Sequence, residues 1–302
     1  TFAQNTDKAL ARVRYSFTHI QDTTQKDKPH KENMLLVIGK NASVYTSYDK
    51  INQELQMKKK LAEQLKEQAG SGNMSIKIDK TDSKTTTPLD YFFFAKENKF
   101  ITKERVFNNY LIEETAPTIN WKITKDTTSF SGVKCQKATA YFKGRNWIAW
   151  YAPEMPFQSG PWKLNGLPGL IIEAYDDKKE VQFTFAGIDN VEEVAQTKDD
   201  ELKVSSPNGG LNMVNIIGMD SGNSYLGPEI KLPADAIKTS RKEIDKLKEA
   251  RAKDPQGFMQ AQMAASGMNV KFAQGTSIRP ATASFSANKI ELNNPIELPE
   301  TK

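Results

Sequence analysis

Short runs in which apolar and polar residues alternate recur along the first 190 residues of this chain. The clearest run is 11–20, where Val13, Tyr15 and Phe17 share one side and arginine, serine and threonine fill the other. A period of two is that of a half-buried β-strand, because successive side chains of a strand point to opposite faces. The first 190 residues therefore predict a β-rich fold.

The later runs predict hairpins. Runs at 34–38 and 44–48 flank a Gly/Asn turn and predict, with the first run, three antiparallel strands. Further strands are predicted at 91–94, 99–102, 106–112, 121–123, 137–151 and 170–185. The stretch Trp147–Tyr151 is apolar on both faces, so we expect a central strand covered on both sides. The predicted fold class is mainly β (α+β): a curved antiparallel sheet or half-open barrel, by preference of the lipoprotein-carrier type.

Two stretches have helical periodicity instead. Asp49 can cap a helix over 49–69 that has one apolar stripe and packs on the sheet. A second helix is predicted from Pro233, and Pro255 divides it from a Met-rich segment. The predicted organisation is a signal-peptide remnant and tail at 1–10, a β domain at 11–190, a loop and helical-hairpin insertion at 191–286, and a closing strand at 287–302.

Composition excludes several classes of function. The 42 basic residues against 37 acidic ones leave a net charge of +5, too weak for the basic stripe of a nucleic-acid-binding protein. No apolar run reaches the length of a membrane span. Cys135 is the one cysteine and there are two histidines, so we expect no internal disulfide, no zinc site and no cofactor. The oligomeric state is left open.

The first residues indicate export. Thr1-Phe2-Ala3 has the small-x-small pattern that ends a secretory signal peptide, and the lipid-anchor cysteine of a lipoprotein does not follow it. We therefore expect an exported, periplasmic or outer-membrane-associated protein without covalent lipid.

No catalytic signature is present. The chain has no phosphate-binding loop, no HExxH and no GxSxG elbow. We assign no catalytic residue, and an envelope hydrolase whose site is assembled only in three dimensions stays as an alternative.

Met259 and Met263 share one helical face and suggest a second alternative, the handling of a soft ion such as Cu(I). Cys135 is expected to be a buried, unreactive residue of a strand.

The most distinctive stretch is rich in tryptophan. Three of the four tryptophans lie between 147 and 162, within a segment that basic residues border. Two interpretations stay open: a rigid aromatic crossover between strands, or a recognition surface for a partner. For the second, the candidate binding residues are Arg145, Trp147, Trp150, Tyr151, Trp162 and Lys163. Among the aromatic residues, we expect Trp162 to remain partly exposed.

The loop that follows carries a motif: Gly166, Leu167, Pro168, Gly169, Leu170 and Ile171. Its proline and glycines predict a defined turn in which Leu167 is an apolar plug. With the run 144–151, Gly160-Pro161-Trp162 and the terminal 294–298, this chain resembles the GLPGLI family.

The resemblance implies an exported protein of Gram-negative outer-membrane context, often encoded beside TonB-dependent transporters. It implies no catalytic residues. We therefore expect an accessory protein that binds a TonB-dependent transporter, another envelope protein or a peptide-like or lipid-like cargo.

Overall fold

The structure, a computed structural model, describes residues 6–67, 84–191, 225–234, 236–265 and 292–300. The strands are β1 (Asp7–His19), β2 (His30–Gly39), β3 (Ala42–Ser47), β4 (Leu89–Phe94), β5 (Lys99–Arg105), β6 (Asn109–Thr115), β7 (Lys122–Phe130), β8 (Val133–Phe142), β9 (Arg145–Ala152), β10 (Leu170–Asp176), β11 (Val181–Asn190), β12 (Glu229–Ile230) and β13 (Ile237–Thr239). The helices in these ranges are α1 (Tyr48–Glu67), α2 (Arg241–Lys253) and α3 (Pro255–Ala265).

All thirteen strands of the described residues belong to one sheet. Its order is β13-β6-β5-β4-β3-β2-β1-β11-β10-β9-β8-β7, and β12 pairs with one end of β1. The pairs are antiparallel except for β13 with β6. The sheet does not close, and the predicted fold class is confirmed: mainly β, with helices packed on the sheet. β1 joins the two halves of the sheet, because it pairs with β2 on one side and with β11 on the other.

The sheet has two faces with different cores. Val13 and Phe17 lie on the inner face, which also carries Trp147, Leu167 and Phe183 of the main hydrophobic cluster. Leu35 and Val37 point to the outer face, where they pack in a second cluster with Ile51 of α1 and with Tyr225. Because successive side chains of a strand point to opposite faces, the continuous apolar run 34–38 of β2 contributes to both cores.

The second helical region starts later than expected. Ile237, predicted to lie in a helix from Pro233, lies in β13, and α2 begins at Arg241. Ser240 caps this helix, since it accepts a hydrogen bond from the Glu243 backbone N–H and the Glu243 side chain returns to the Ser240 N–H. The strands β12 and β13 also show that part of the predicted insertion joins the sheet.

The C-terminal segment differs from the predicted closing strand. Residues 292–300 form no strand; they contact the sheet through individual polar groups and through Ile296, which packs against the main hydrophobic cluster. The Asn294 N–H donates to the carbonyl of Gln21, and the Leu298 N–H donates to that of Lys143. In the described chain, none of the helices combines the length and apolar character needed to cross a membrane.

Candidate binding surface

Arg145, a candidate binding residue, is buried at the end of β9. Its guanidinium donates through Nε to Ile296 O, through one terminal nitrogen to Asp176 and Glu180, and through the other to Asn294 Oδ1 and Pro295 O. These five bonds match the five N–H groups of arginine. Arg145 therefore fastens the C-terminal segment to β9 and β10, and its donors are already engaged.

Three of the candidate aromatic residues are also internal. Trp147 is 1% exposed and donates to the carbonyl of Phe142. Tyr151 is 2% exposed and donates to Gln136 Oε1. Trp162 packs with its ring centroid 5.5 Å from that of Trp147. These side chains fill the inner face of the sheet.

The expectation that Trp162 stays partly exposed is wrong, because this side chain is only 5% exposed. Its backbone has a φ of 55°, a left-handed conformation that is uncommon outside glycine. This turn directs the indole into the core. Lys163, next along the chain, is half-buried, and its Nζ lies 2.7 Å from a carboxylate oxygen of Glu297.

The motif loop has the predicted plug. Leu167, Leu170 and Ile171 have no measurable exposure. Gly166 has a φ of 86°, and a side chain at Gly169 would overlap the carbonyl oxygen of Ala152. The loop therefore closes the inner face as a packed crossover, which agrees with the first interpretation of this segment.

The inner face leaves little free space beside this crossover. A gap next to Trp162 and Tyr45 has a volume of about 10 Å³, enough for a water molecule. Small-molecule sites usually need roughly 300 Å³ or more. This gap cannot hold a lipid-like cargo.

Trp150 is the one candidate aromatic residue that faces outward. The register places it beside Lys137 of β8 and Glu173 of β10 on the outer face. Its ring lies 6.0 Å from that of Phe130, edge to face, and the Lys137 Nζ lies 5.9 Å from its centroid. The alternation of side chains along β9 thus places Trp150 on the face opposite to that of Trp147 and Tyr151.

Trp150 belongs to a group that we call the outer patch. All its members are exposed or half-buried and lie on the outer face of β7–β10; they are Phe130, Lys137, Tyr141, Ile148, Trp150 and Tyr175. The helical residues that belong to or pack against the described hydrophobic clusters lie on the other half of the sheet; they are Tyr48, Ile51, Ile244 and Leu247. The expectation that β9 is covered on both faces therefore does not hold within the described chain.

Cys135 lies beneath the outer patch and has the character predicted for it. It is 2% exposed. Burial, aided by the negative charge of Glu173, raises the pKa of its thiol to about 11. A thiol with this pKa is almost entirely protonated at neutral pH and is a poor nucleophile.

The buried acidic residues of the described chain are occupied by structural contacts. Asp90 accepts hydrogen bonds from Thr46, Lys50 and Tyr225. Glu32 accepts from the backbone and the hydroxyl of Thr87. Within the described ranges, no group of three histidine, cysteine or acidic side chains could hold a metal ion. Met259 and Met263 lie on α3, as their spacing predicted.

One signal for the outer patch was present in the sequence. Ile148 and Trp150 alternate with Trp147 and Ala149, so β9 must have two apolar faces. Phe130 and Tyr175 could not be added by sequence reasoning, because they come from strands whose pairing partners are fixed only by the fold.

Comparisons with known proteins add little to this description. No family model matches the chain, and no curated protein matches it. Two solved structures of PNGF-II, in the P21 and C2 space groups, are similar at 8% identity with TM-scores of 0.46 and 0.45. Each match covers 79% of this chain and 32% of the other, so this chain spans about a third of the length of those proteins.

Proposed function

We propose that this chain is a member of the GLPGLI family and acts as an exported, non-catalytic accessory protein. In this proposal it binds an envelope protein, with a TonB-dependent outer-membrane transporter as the first candidate. The observation that carries the binding role is the outer patch, a set of aromatic and apolar side chains on a sheet face that no described helix covers.

The chemistry of the outer patch suits a protein partner. Tryptophan and tyrosine supply much of the binding energy at interfaces, because they bury a large area and lose little conformational freedom. Trp150 is held by Phe130 and Lys137, and its indole N–H lies 3.5 Å from the Tyr175 hydroxyl. The ring is therefore oriented before a partner arrives, which lowers the entropic cost of binding.

The test compares Trp150→Ala with Ile123→Ala. Both residues are partly exposed apolar positions, but Ile123 pairs with the inward-facing Ala138 and lies outside the outer patch. We expect Trp150→Ala to reduce capture of the envelope partner by about tenfold or more, as loss of an interface anchor does. Ile123→Ala should leave capture unchanged, and thermal melts should show that both variants are folded at the assay temperature.

Purified transporter immobilised on beads is the direct assay, with cell fractionation to check export. Equal retention of the parent and Trp150→Ala on the transporter would remove the outer patch from the proposal. Retention of neither protein would exclude the transporter as partner, and recovery of the protein in the cytosol would contradict export.

A further inference from the structure

Among the described residues, the edge of the sheet beside the outer patch is open. β7 is the last strand in the sheet order, and β8 is the one described strand that pairs with it. Its nine residues are all exposed or half-buried. The opposite edge is much shorter, since β13 has three residues.

The two halves of β7 differ in how well they are protected against pairing with another strand. The pairing shifts register between Ile123 and Thr127, and the Gln136 side chain donates to the carbonyl of Thr124 there. Lys125 lies in the same irregular half. Lysines and bulges are common devices that prevent unwanted strand pairing. The stretch 127–130 has a regular register with β8, no charged side chain and no proline.

The turn after β7 determines which backbone groups of this stretch are free. Ser131 and Gly132 both have positive φ, which is the two-residue turn of a tight hairpin. Phe130 and Val133 flank the turn and therefore exchange hydrogen bonds across it. Bonded and non-bonded pairs alternate along an antiparallel ladder. Thr127 and Ser129 consequently direct their N–H and C=O groups to the open edge.

The charge of the hairpin indicates what this edge would accept. β7 and β8 carry Lys122, Lys125, Lys134 and Lys137 against Asp126. Four positive charges against one negative charge favour an acidic segment and repel a basic one.

We propose that 127–130 binds an extended acidic segment of a partner protein by addition of a strand to the sheet. Main-chain hydrogen bonds to Thr127 and Ser129 would supply affinity, and the lysines would select the charge of the segment. The added strand would lie beside Phe130 and extend the surface of the outer patch. This inference rests on the proposed binding role and names the chemistry of the partner.

The test uses synthetic peptides and not the transporter, so that its outcome is independent of the proposed partner. The probe is a fluorescent ten-residue peptide of alternating threonine and glutamate, and its control has lysine in place of glutamate. We expect the acidic peptide to bind at least about tenfold tighter by fluorescence anisotropy. A copy with N-methylated amides on its bonding edge should bind at least about tenfold more weakly, because it cannot donate to the strand.

A matched pair of variants tests the edge itself. Ser129→Pro removes an N–H that faces the open edge and leaves the hydrogen bonds to β8 in place. This variant should therefore fold but no longer bind the acidic peptide. Ser129→Ala keeps that N–H and should bind like the parent. Equal binding of both peptides, or full binding by a folded Ser129→Pro, would overturn the proposal. Self-association that Ser129→Pro abolishes would also overturn it, since the edge would then bind a second copy of this chain.

Discussion

At the scale of single residues, backbone contact leaves no room for a side chain at Gly169. A Cβ there would overlap the carbonyl oxygen of Ala152, whereas a Cβ at Gly166 would meet open space. We expect Gly169→Ala to cost at least about 3 kcal/mol of unfolding free energy, because a backbone atom must move. Gly166→Ala should cost roughly 1–2 kcal/mol, the strain of a left-handed φ. Urea denaturation of both variants measures the difference, and equal costs would contradict the crowding at Gly169.

The plug at Leu167 and the indole of Trp162 occupy the same core. We expect Leu167→Ala to cost about 2–5 kcal/mol, and Trp162→Ala about 3–5 kcal/mol. Thermal melts check both values against Trp150→Ala, which should cost less stability than Trp162→Ala because its indole is only half-buried. A Trp162→Ala protein that melts with the parent would show that the indole is not a core residue.

At the scale of elements, Arg145 connects the C-terminal segment to two strands. Lysine has three donors on one nitrogen and cannot reproduce the five bonds of the guanidinium. We expect Arg145→Lys to cost about 3–5 kcal/mol, because it leaves buried acceptors without donors. Limited proteolysis should then cut the segment 292–300 first. Lys143→Ala is the control, since the Lys143–Glu297 ion pair is more than a third exposed on both sides, and its cleavage pattern should match that of the parent.

Asp90 connects α1, β3, β5 and the segment around Tyr225. Its carboxylate is fully buried, and both Lys50 and Lys103 lie within ion-pair distance. We expect Asp90→Asn to cost about 3–5 kcal/mol, because two ammonium groups lose their counter-charge. Glu113→Gln is the control: it breaks the exposed pair with Lys99 and should cost below about 1 kcal/mol. Similar urea midpoints for the two variants would contradict this role for Asp90.

At the scale of the whole molecule, two buried groups make stability fall in acid. Burial lowers the pKa of His19 from 6.5 to about 4, and the positive charge of Arg145 acts in the same direction. The paired lysines hold the pKa of Asp90 below its usual range, against the opposing effect of burial. Both groups bind protons more readily in the unfolded chain, so their contribution to stability is lost as the pH falls.

Protonation of His19 affects the stability of the fold between about pH 6.5 and pH 4. We expect stability to fall across this window by roughly 2–3 kcal/mol, since each unit of pKa difference corresponds to about 1.4 kcal/mol. His19→Gln keeps a donor for the carbonyl of Asn294 and has no charge change in this window. The urea midpoint should therefore depend less on pH for His19→Gln than for the parent. If the two plots of midpoint against pH were parallel, His19 would contribute no pH dependence.

Local patterns along the chain were enough to predict the strands and the packed loop of this protein. A period of two is a local property, so the hairpins at 30–47 and 133–152 could be read directly. Leu167 was identifiable as a plug because the surrounding glycines and proline restrict the backbone. The start of α2 was predicted too early, at Pro233, although Ser240 and Glu243 have the spacing of the capping box that begins this helix.

Long-range packing settled which side of each strand faces the core and which edge stays open. Alternation places Trp147 and Trp150 on opposite faces of β9, but only the packing of distant segments makes the face of Trp147 the buried one. Arg145 looked like a surface cation, and its partners Asn294 and Ile296 are about 150 positions away. Periodicity describes a strand relative to itself. Burial depends on which distant segments pack against that strand, and the local pattern carries no information about them.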